Sequence, residues 1–313
     1  MKFRTELHIE KQSDSISQQD EILAIGSCFV ENVGLKLKHL KFNININPFG
    51  IIFNPYSIAK ILNQSLDSKI DLEDECEVIM QQNVFKSYDY HSKFNANSYN
   101  NFIALTDTKN NEVKKQLKSA DYLILTYGTA WVYRLVESNK IVANCHKEPQ
   151  SKFKKERLQL DMLVDVYINI FNRLFEQNPN LKIILTVSPV RHLKDGMIEN
   201  NQSKSVLLLL CSTLSSHFKE NVIYFPSYDI QMDDLRDYRF YNSDLIHPNQ
   251  MAIDYIFDKF SIAFFTEPTQ LLNSKITKLY KLENHQFLNA SDEDKQKHQS
   301  KIEALKREIE QKR

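Results

Sequence analysis

The most regular feature of the chain is a rhythm of short apolar runs alternating with longer segments whose apolar residues recur every three or four positions. Glu21-Ile22-Leu23-Ala24-Ile25 is apolar after its first residue and stops at Gly26-Ser27, after which Val33, Leu35, Leu37 and Leu40 recur among Glu, Asn and Lys across 30–40. This reads as strand, tight turn, helix. Phe42-Asn43-Ile44-Asn45-Ile46 alternates apolar with polar, Asn47-Pro48-Phe49-Gly50 breaks the alternation, and Pro55 opens a helix through Leu66. Apolar runs at 122–126, 182–187 and 222–225 each follow a helical pattern, around 113–120, 158–177 and 203–218 respectively. A further helix is predicted over 248–265. Residues 68–110 are less regular; 77–90 reads as a hairpin that leads into Asp89-Tyr90-His91-Ser92, and the whole segment reads as an insertion.

Short apolar strands alternating with helices predict an α/β fold: a parallel sheet covered on both faces, with right-handed crossovers. In such sheets the site lies beyond the C-terminal strand ends. Those ends here are Gly26-Ser27, Gly50, Gly128-Thr129, Ser188-Pro189 and Pro226-Ser227. Past Phe265 the chain becomes mostly charged, and Ile302, Leu305 and Ile309 fall at helical spacing within 292–313. The reading favoured is a solvated helix, with a short coiled-coil contact that makes an oligomer as the weaker alternative. The expected organisation is therefore one domain over 1–265, with 68–110 inserted, and a charged helical extension over 266–313.

Composition narrows the function. The 313 residues are 42% hydrophobic, enough for a large core, and 40 Lys plus Arg balance 40 Asp plus Glu. No excess positive charge points to nucleic acid or an anionic membrane. Residues 1–20 lack an apolar signal core and no later run is long enough to span a bilayer, so a cytoplasmic location is expected. Four cysteines (Cys28, Cys76, Cys145, Cys211) lie far apart with no C-x-x-C pair, and no H-E-x-x-H or comparable spacing occurs, so neither a metal nor any other cofactor is expected.

Glycine is scarce, five in all, and Gly26 ends the first strand just before Ser27. A serine there can project its hydroxyl into a cleft while helix N–H groups face a developing anion, although capping the helix is the more ordinary job for a lone serine. Asp244-Leu245-Ile246-His247 changes that weighing. A carboxylate three residues before a histidine can accept one imidazole N–H and leave the other nitrogen to deprotonate Ser27. The adjacent Cys28 is expected to face the core if Ser27 faces the cleft. His91 and His146 are candidates to line a pocket, Arg191 to clamp an anionic substrate if it is not spent on a local acid, and Trp131 to pack in the core or offer a substrate platform.

Gly26-Ser27-Cys28-Phe29-Val30, Asn47-Pro48-Phe49-Gly50, Gly128-Thr129-Ala130-Trp131-Val132-Tyr133, Asn144-Cys145-His146-Lys147, Ser188-Pro189-Val190-Arg191-His192 and Asp237-Tyr238-Arg239-Phe240-Tyr241 together resemble, in order, the blocks of the GSCFA-domain family, a branch of the SGNH/GDSL hydrolases. The resemblance spans roughly residues 20–265, with Val30 replacing the final Ala of the signature. It implies a flavodoxin-like three-layer α/β/α fold with strand order 2-1-3-4-5, Ser27 as nucleophile, Asp244 and His247 as its partners, and the N–H groups of Ser27 and Gly50 as oxyanion donors. The superfamily's third block usually supplies an Asn donor. Gly128-Thr129-Ala130-Trp131 has none, leaving Asn144, Thr129 or His146 to replace it. The function implied is hydrolysis of a small-molecule or carbohydrate ester through an acyl-enzyme, with deacetylation of a sugar or glycoconjugate as the guess for substrate. The alternative is a module that keeps the fold for binding or scaffolding with little or no catalysis.

Overall fold

A computed structural model describes residues 5–67, 69–73, 77–285, 287 and 291–311. Cys76 and the last two positions of the C-terminal helix expected from the sequence lie outside these. Five parallel strands form the central sheet: β1 (Glu21–Gly26), β2 (Asn43–Ile46), β5 (Tyr122–Tyr127), β9 (Lys182–Val187) and β10 (Val222–Phe225). In space they run β10-β9-β5-β1-β2, so the five core strands, counted along the chain, stand in the order 2-1-3-4-5. Strand order reverses between β1 and β5, where Ile22 to Gly26 pair with Tyr122 to Thr126.

Alternation along each strand explains why both faces are apolar. Leu23, Ile25, Leu123, Leu125, Ile183 and Leu185 face helices α2 (Pro55–Gln64), α3 (Tyr99–Leu117), α4 (Leu160–Gln177) and α5 (Met197–His217). Ile22, Ala24, Tyr122, Ile124 and Ile184 face α1 (Cys28–His39) and α7 (Gln250–Phe264), which contribute Phe29, Val33, Leu37, Ile256, Phe260 and Phe264. These are the three layers. Loop residues set where helices start: Ser27, Asn54 and Asn249 each accept a hydrogen bond from the first turn that follows, and Pro55 occupies the first helical turn of α2, where its missing N–H costs nothing.

Three features depart from the sequence expectation. The hairpin β3 (Val78–Gln81) and β4 (Val84–Ser87) falls where 77–90 predicted one, turning through Gln82 and Asn83 at positive φ. But α3 begins at Tyr99, inside the segment read as an insertion, and its Phe102 packs in the main core. Second, β6 (Trp131–Leu135), β7 (Ile141–Val142) and β8 (Phe153–Arg157) make a small antiparallel sheet, order β7-β6-β8, that no pattern revealed. Third, the extension is a helical hairpin. The short turn α6 (Ser227–Asp229) lies between β10 and α7, and α8 (Glu267–Glu283) and α9 (Asp292–Glu310) follow α7. Leu272, Ile276 and Leu279 of α8 enclose Ile302, Leu305 and Ile309 of α9. The apolar stripe expected on a solvated or self-associating helix is buried within the chain. The hairpin also joins the body: Gln18 donates to Asn273 at 2.6 Å and His39 stacks on Tyr280.

Among the described residues, no helix is long and apolar enough to cross a membrane.

Candidate active site

Gly26 ends β1 with φ +150°, and a Cβ there would stand 2.2 Å from the Thr126 carbonyl oxygen. The backbone of β1 can stay against β5 to its last residue because nothing projects at that point. The Gly26 N–H donates to Asn47 Oδ1 at 2.9 Å, and Ser27 N–H donates to Thr126 O at 3.1 Å. Ser27 then caps α1, its hydroxyl oxygen accepting from Phe29 N–H at 3.3 Å. The residue is 2% exposed. Asn47, which the sequence marked as a strand breaker, is therefore a brace for the Ser27 turn. Its own N–H donates to Ala24 O at 2.8 Å, and its side-chain amide donates to Glu31 at 3.3 Å.

Cys28 is placed otherwise than expected. It is half-buried, more open than Ser27, because the helix begins at Cys28 and the two residues no longer alternate as strand neighbours. Burial first, then Glu31, raises its thiol pKa against the opposing pull of Lys204. The neutral thiol is a weak nucleophile.

The opposite side of the rim is built by one turn. Asp244 Oδ1 accepts from Ile246 N–H at 2.9 Å and His247 N–H at 3.0 Å, and Oδ2 lies 2.7 Å from His247 Nδ1. Those backbone donors, and then the imidazole, hold the Asp244 carboxyl down at about 2. A carboxylate can only accept, so Nδ1 carries the proton and Nε2 has the free lone pair. Leu245 takes φ 58° to close the turn, Asn242 N–H donates to His247 O at 2.8 Å, and Arg191 N–H donates to Ile246 O at 3.1 Å. The last bond ties the turn to the segment that leaves β9. No hydrogen bond joins Ser27 Oγ to His247.

The other residues singled out from the sequence scatter around this rim. Gly50 N–H donates to Asn47 O at 2.8 Å, so both backbone donors expected for an oxyanion are spent on backbone carbonyls. Thr129 shares a 2.9 Å hydrogen bond with Ser203 and accepts from Trp131 N–H; Asn144 accepts from His146 N–H at 2.9 Å; His146 Nε2 lies 2.8 Å from Ser87 O. Thr129 is thus engaged with α5 and His146 with β4, whereas Asn144 is engaged through its side-chain carbonyl oxygen. His91 lies against Gly50 and caps the following turn. Trp131 is half-buried, donates to Glu199 O at 3.1 Å and carries Lys155 over its ring. A cavity of about 610 Å³ is lined by His91, Trp131 and Asn144 together with Phe53, Lys147 and Lys194; neither Ser27 nor His247 lines it. Arg191 meets no acid: its guanidinium lies over Tyr238 and Tyr241 and donates to Leu245 O at 3.2 Å.

Two residues at the strand ends escaped sequence reasoning. Lys204 is fully buried, its ammonium donating to Gly128 O at 2.6 Å and Ser188 O at 2.7 Å, with Tyr228 beside it. Burial lowers its pKa to about 7. In sequence it reads as an ordinary lysine on a helix. His192 is held by its N–H on Asn200 Oδ1 at 2.8 Å. Among the described residues, no group of three or more His, Cys, Asp or Glu side chains gathers as a metal site.

The profile of the GSCFA family matches residues 21–260, from the first residue of β1 to within α7. The chain belongs to the GSCFA family. No curated protein matches this GSCFA protein. Among solved structures it is similar to a Bacteroides fragilis protein named as a candidate acylhydrolase, at 9% identity and TM-score 0.41, covering 84% of this chain and 91% of that one. It is also similar to an acetyl xylan esterase from Butyrivibrio proteoclasticus, at 12% identity and TM-score 0.39, covering 85% and 66%. A third is a carbohydrate esterase family 3 protein from Talaromyces cellulolyticus, at 11% identity and TM-score 0.32, covering 83% and 99%. Likenesses this distant assign no activity.

Proposed function

We propose that this GSCFA protein is a serine hydrolase of carboxylic esters, with Ser27 as nucleophile and His247 as base. The observation that carries the reading is the Asp244–His247 turn. Its carboxylate is fully engaged with the backbone and Nδ1, and its Nε2 lone pair is free, on the same strand-end rim as Ser27. In the reaction His247 Nε2 takes the Ser27 hydroxyl proton as Oγ bonds to the acyl carbon. The same proton passes to the alcohol oxygen as the ester C–O bond breaks, and water, deprotonated by Nε2, then releases the acid. The 610 Å³ cavity beside the rim, with its indole, amide and ammonium groups, suits a small polar acceptor such as an acylated sugar.

A fluorophosphonate should label the wild type and leave Ser27→Ala unlabelled. Turnover of p-nitrophenyl acetate should fall roughly 10⁴-fold or more in Ser27→Ala and His247→Ala. Full activity in either variant removes the reading.

One arrangement favours a second reading, a binding module on a hydrolase fold. Ser27 Oγ, Ser27 N–H and Gly50 N–H are each occupied within the protein, and Ser27 has no bond to His247. Failure of the wild type to label under broad conditions selects it.

A further inference from the structure

Acyl transfer needs donors aimed at the oxyanion, and removing one typically costs about 10²–10³ in rate. The two backbone donors expected here are spent on Thr126 O and Asn47 O. Of the side chains nominated to help, Thr129 pairs with Ser203 and His146 with Ser87 O, while Asn144 accepts from His146 N–H through its Oδ1. Buried side-chain atoms without a partner also occur at these strand ends, among them Thr126 Oγ1, Tyr127 Oη and the imidazole of His192. His192 Nε2 is buried and has no hydrogen-bond partner. Leaving such an atom unpaired typically costs about 1–3 kcal/mol, so a native structure that keeps one at a strand end invites a ligand to pair it.

Its surroundings give the atom a direction. A Cβ on Gly128 would come within 3.3 Å of Nε2 and 2.8 Å of the Phe53 Cβ, so the glycine leaves the space in front of the imidazole clear. Gly128 directly follows β5, the strand paired to β1, and its N–H donates to Phe53 O at 2.7 Å. The Phe53 ring flanks the imidazole at 5.9 Å. Next to His192 in sequence, Arg191 N–H holds the His247 turn. His192 thus stands between the ends of β5 and β9 and the turn that carries the base. We propose that His192 Nε2–H is an oxyanion donor of this site, presented by a neutral imidazole to the carbonyl oxygen of an ester attacked by Ser27.

Neutrality fits the surroundings. Burial first, then the Lys204 ammonium and His247, push His192 down to about 3, so at neutral pH the ring holds one proton and carries no charge. A neutral imidazole donor gains strength as charge builds on the oxygen and never has to give up its proton. A ring that titrates this low is a poor base, which separates its role from that of His247.

The inference rests on the hydrolase reading, and its test separates the two. Steady-state turnover of p-nitrophenyl acetate is measured for wild type, His192→Gln, which keeps an N–H donor, and His192→Leu, which keeps bulk without one. Melting curves establish that each is folded. Expected is a kcat lower by about 10²–10³ in His192→Leu with KM changed little, and at least tenfold recovery in His192→Gln. Equal kcat in the two folded variants overturns the proposal while leaving Ser27 chemistry standing. Wild type that neither labels with fluorophosphonate nor turns over overturns both. Should His192→Leu fail to fold, the wild type decides by NMR of the ¹⁵N-labelled imidazole after phosphonylation of Ser27. A downfield move and slowed exchange of the Nε2 proton are expected; an unmoved resonance overturns the assignment.

Discussion

The two halves of the proposed catalytic pair are built to different standards. The Ser27 corner is sealed into the sheet: Gly26, Ser27, Asn47 and Ile52 exchange backbone or amide hydrogen bonds across β1, β5 and the loop after β2, and Phe29 and Val30 beneath are in the core. The Asp244–His247 turn is held mostly by itself, with side chains 43% and 45% exposed and its anchorage to the sheet supplied by Arg191. The position of Ser27 is therefore set by core packing, whereas that of His247 is set by a surface turn. Because no hydrogen bond joins Ser27 Oγ to His247, the separation between them is governed by the less supported partner.

That contrast breaks first at Gly26. In Gly26→Ala the new methyl meets the Thr126 backbone, which cannot move without opening the β1–β5 pairing. The expected result is loss of more than about 4 kcal/mol, seen as insoluble protein or a collapsed urea midpoint. A normal midpoint would mean the corner is less rigid than its hydrogen bonds imply. Asp244→Asn sharpens the other side. The amide can still hold parts of the turn but no longer requires the proton on Nδ1, so kcat should drop about 10³–10⁴-fold while the melting temperature stays almost unchanged. Matched losses of activity and stability would show that the turn, too, belongs to the core.

The difference in construction also explains what the sequence disclosed. The sheet and its order were legible because every strand is buried on both faces and so reads as an unbroken apolar run, as in Tyr122 to Tyr127. The Ser27 and Asp244–His247 positions were legible through local spacing reinforced by family blocks. The small sheet at 131–157 was not, since its strands are half-buried and carry Lys, Arg and Glu among their apolar positions. The pairing of α8 with α9 escaped because the inward face of α8, Leu272, Ile276 and Leu279, meets a stripe thirty residues later, and that is long-range information. The spending of Gly50 N–H and Thr129 was invisible for a similar reason. A residue type states which bonds it can make, and tertiary placement decides which of them are already made.

The smallest expected effect concerns the floor between the two halves, where Lys204 bridges Gly128 O and Ser188 O. In the unfolded chain a lysine keeps its proton up to about 10.5, whereas folded Lys204 releases it from about 7. Between those values the unfolded state binds more protons, so this group adds stability as pH rises through the window and takes it away as pH falls. Wild type should therefore gain on Lys204→Met between pH 7 and 10, by roughly 2–4 °C in melting temperature for each kcal/mol of difference. A constant gap across the window would mean that Lys204 keeps its charge while buried. In that case the two strand-end carbonyls solvate the ammonium as well as water does, and the floor of the site carries a permanent positive charge facing Cys28 and the first turn of α1.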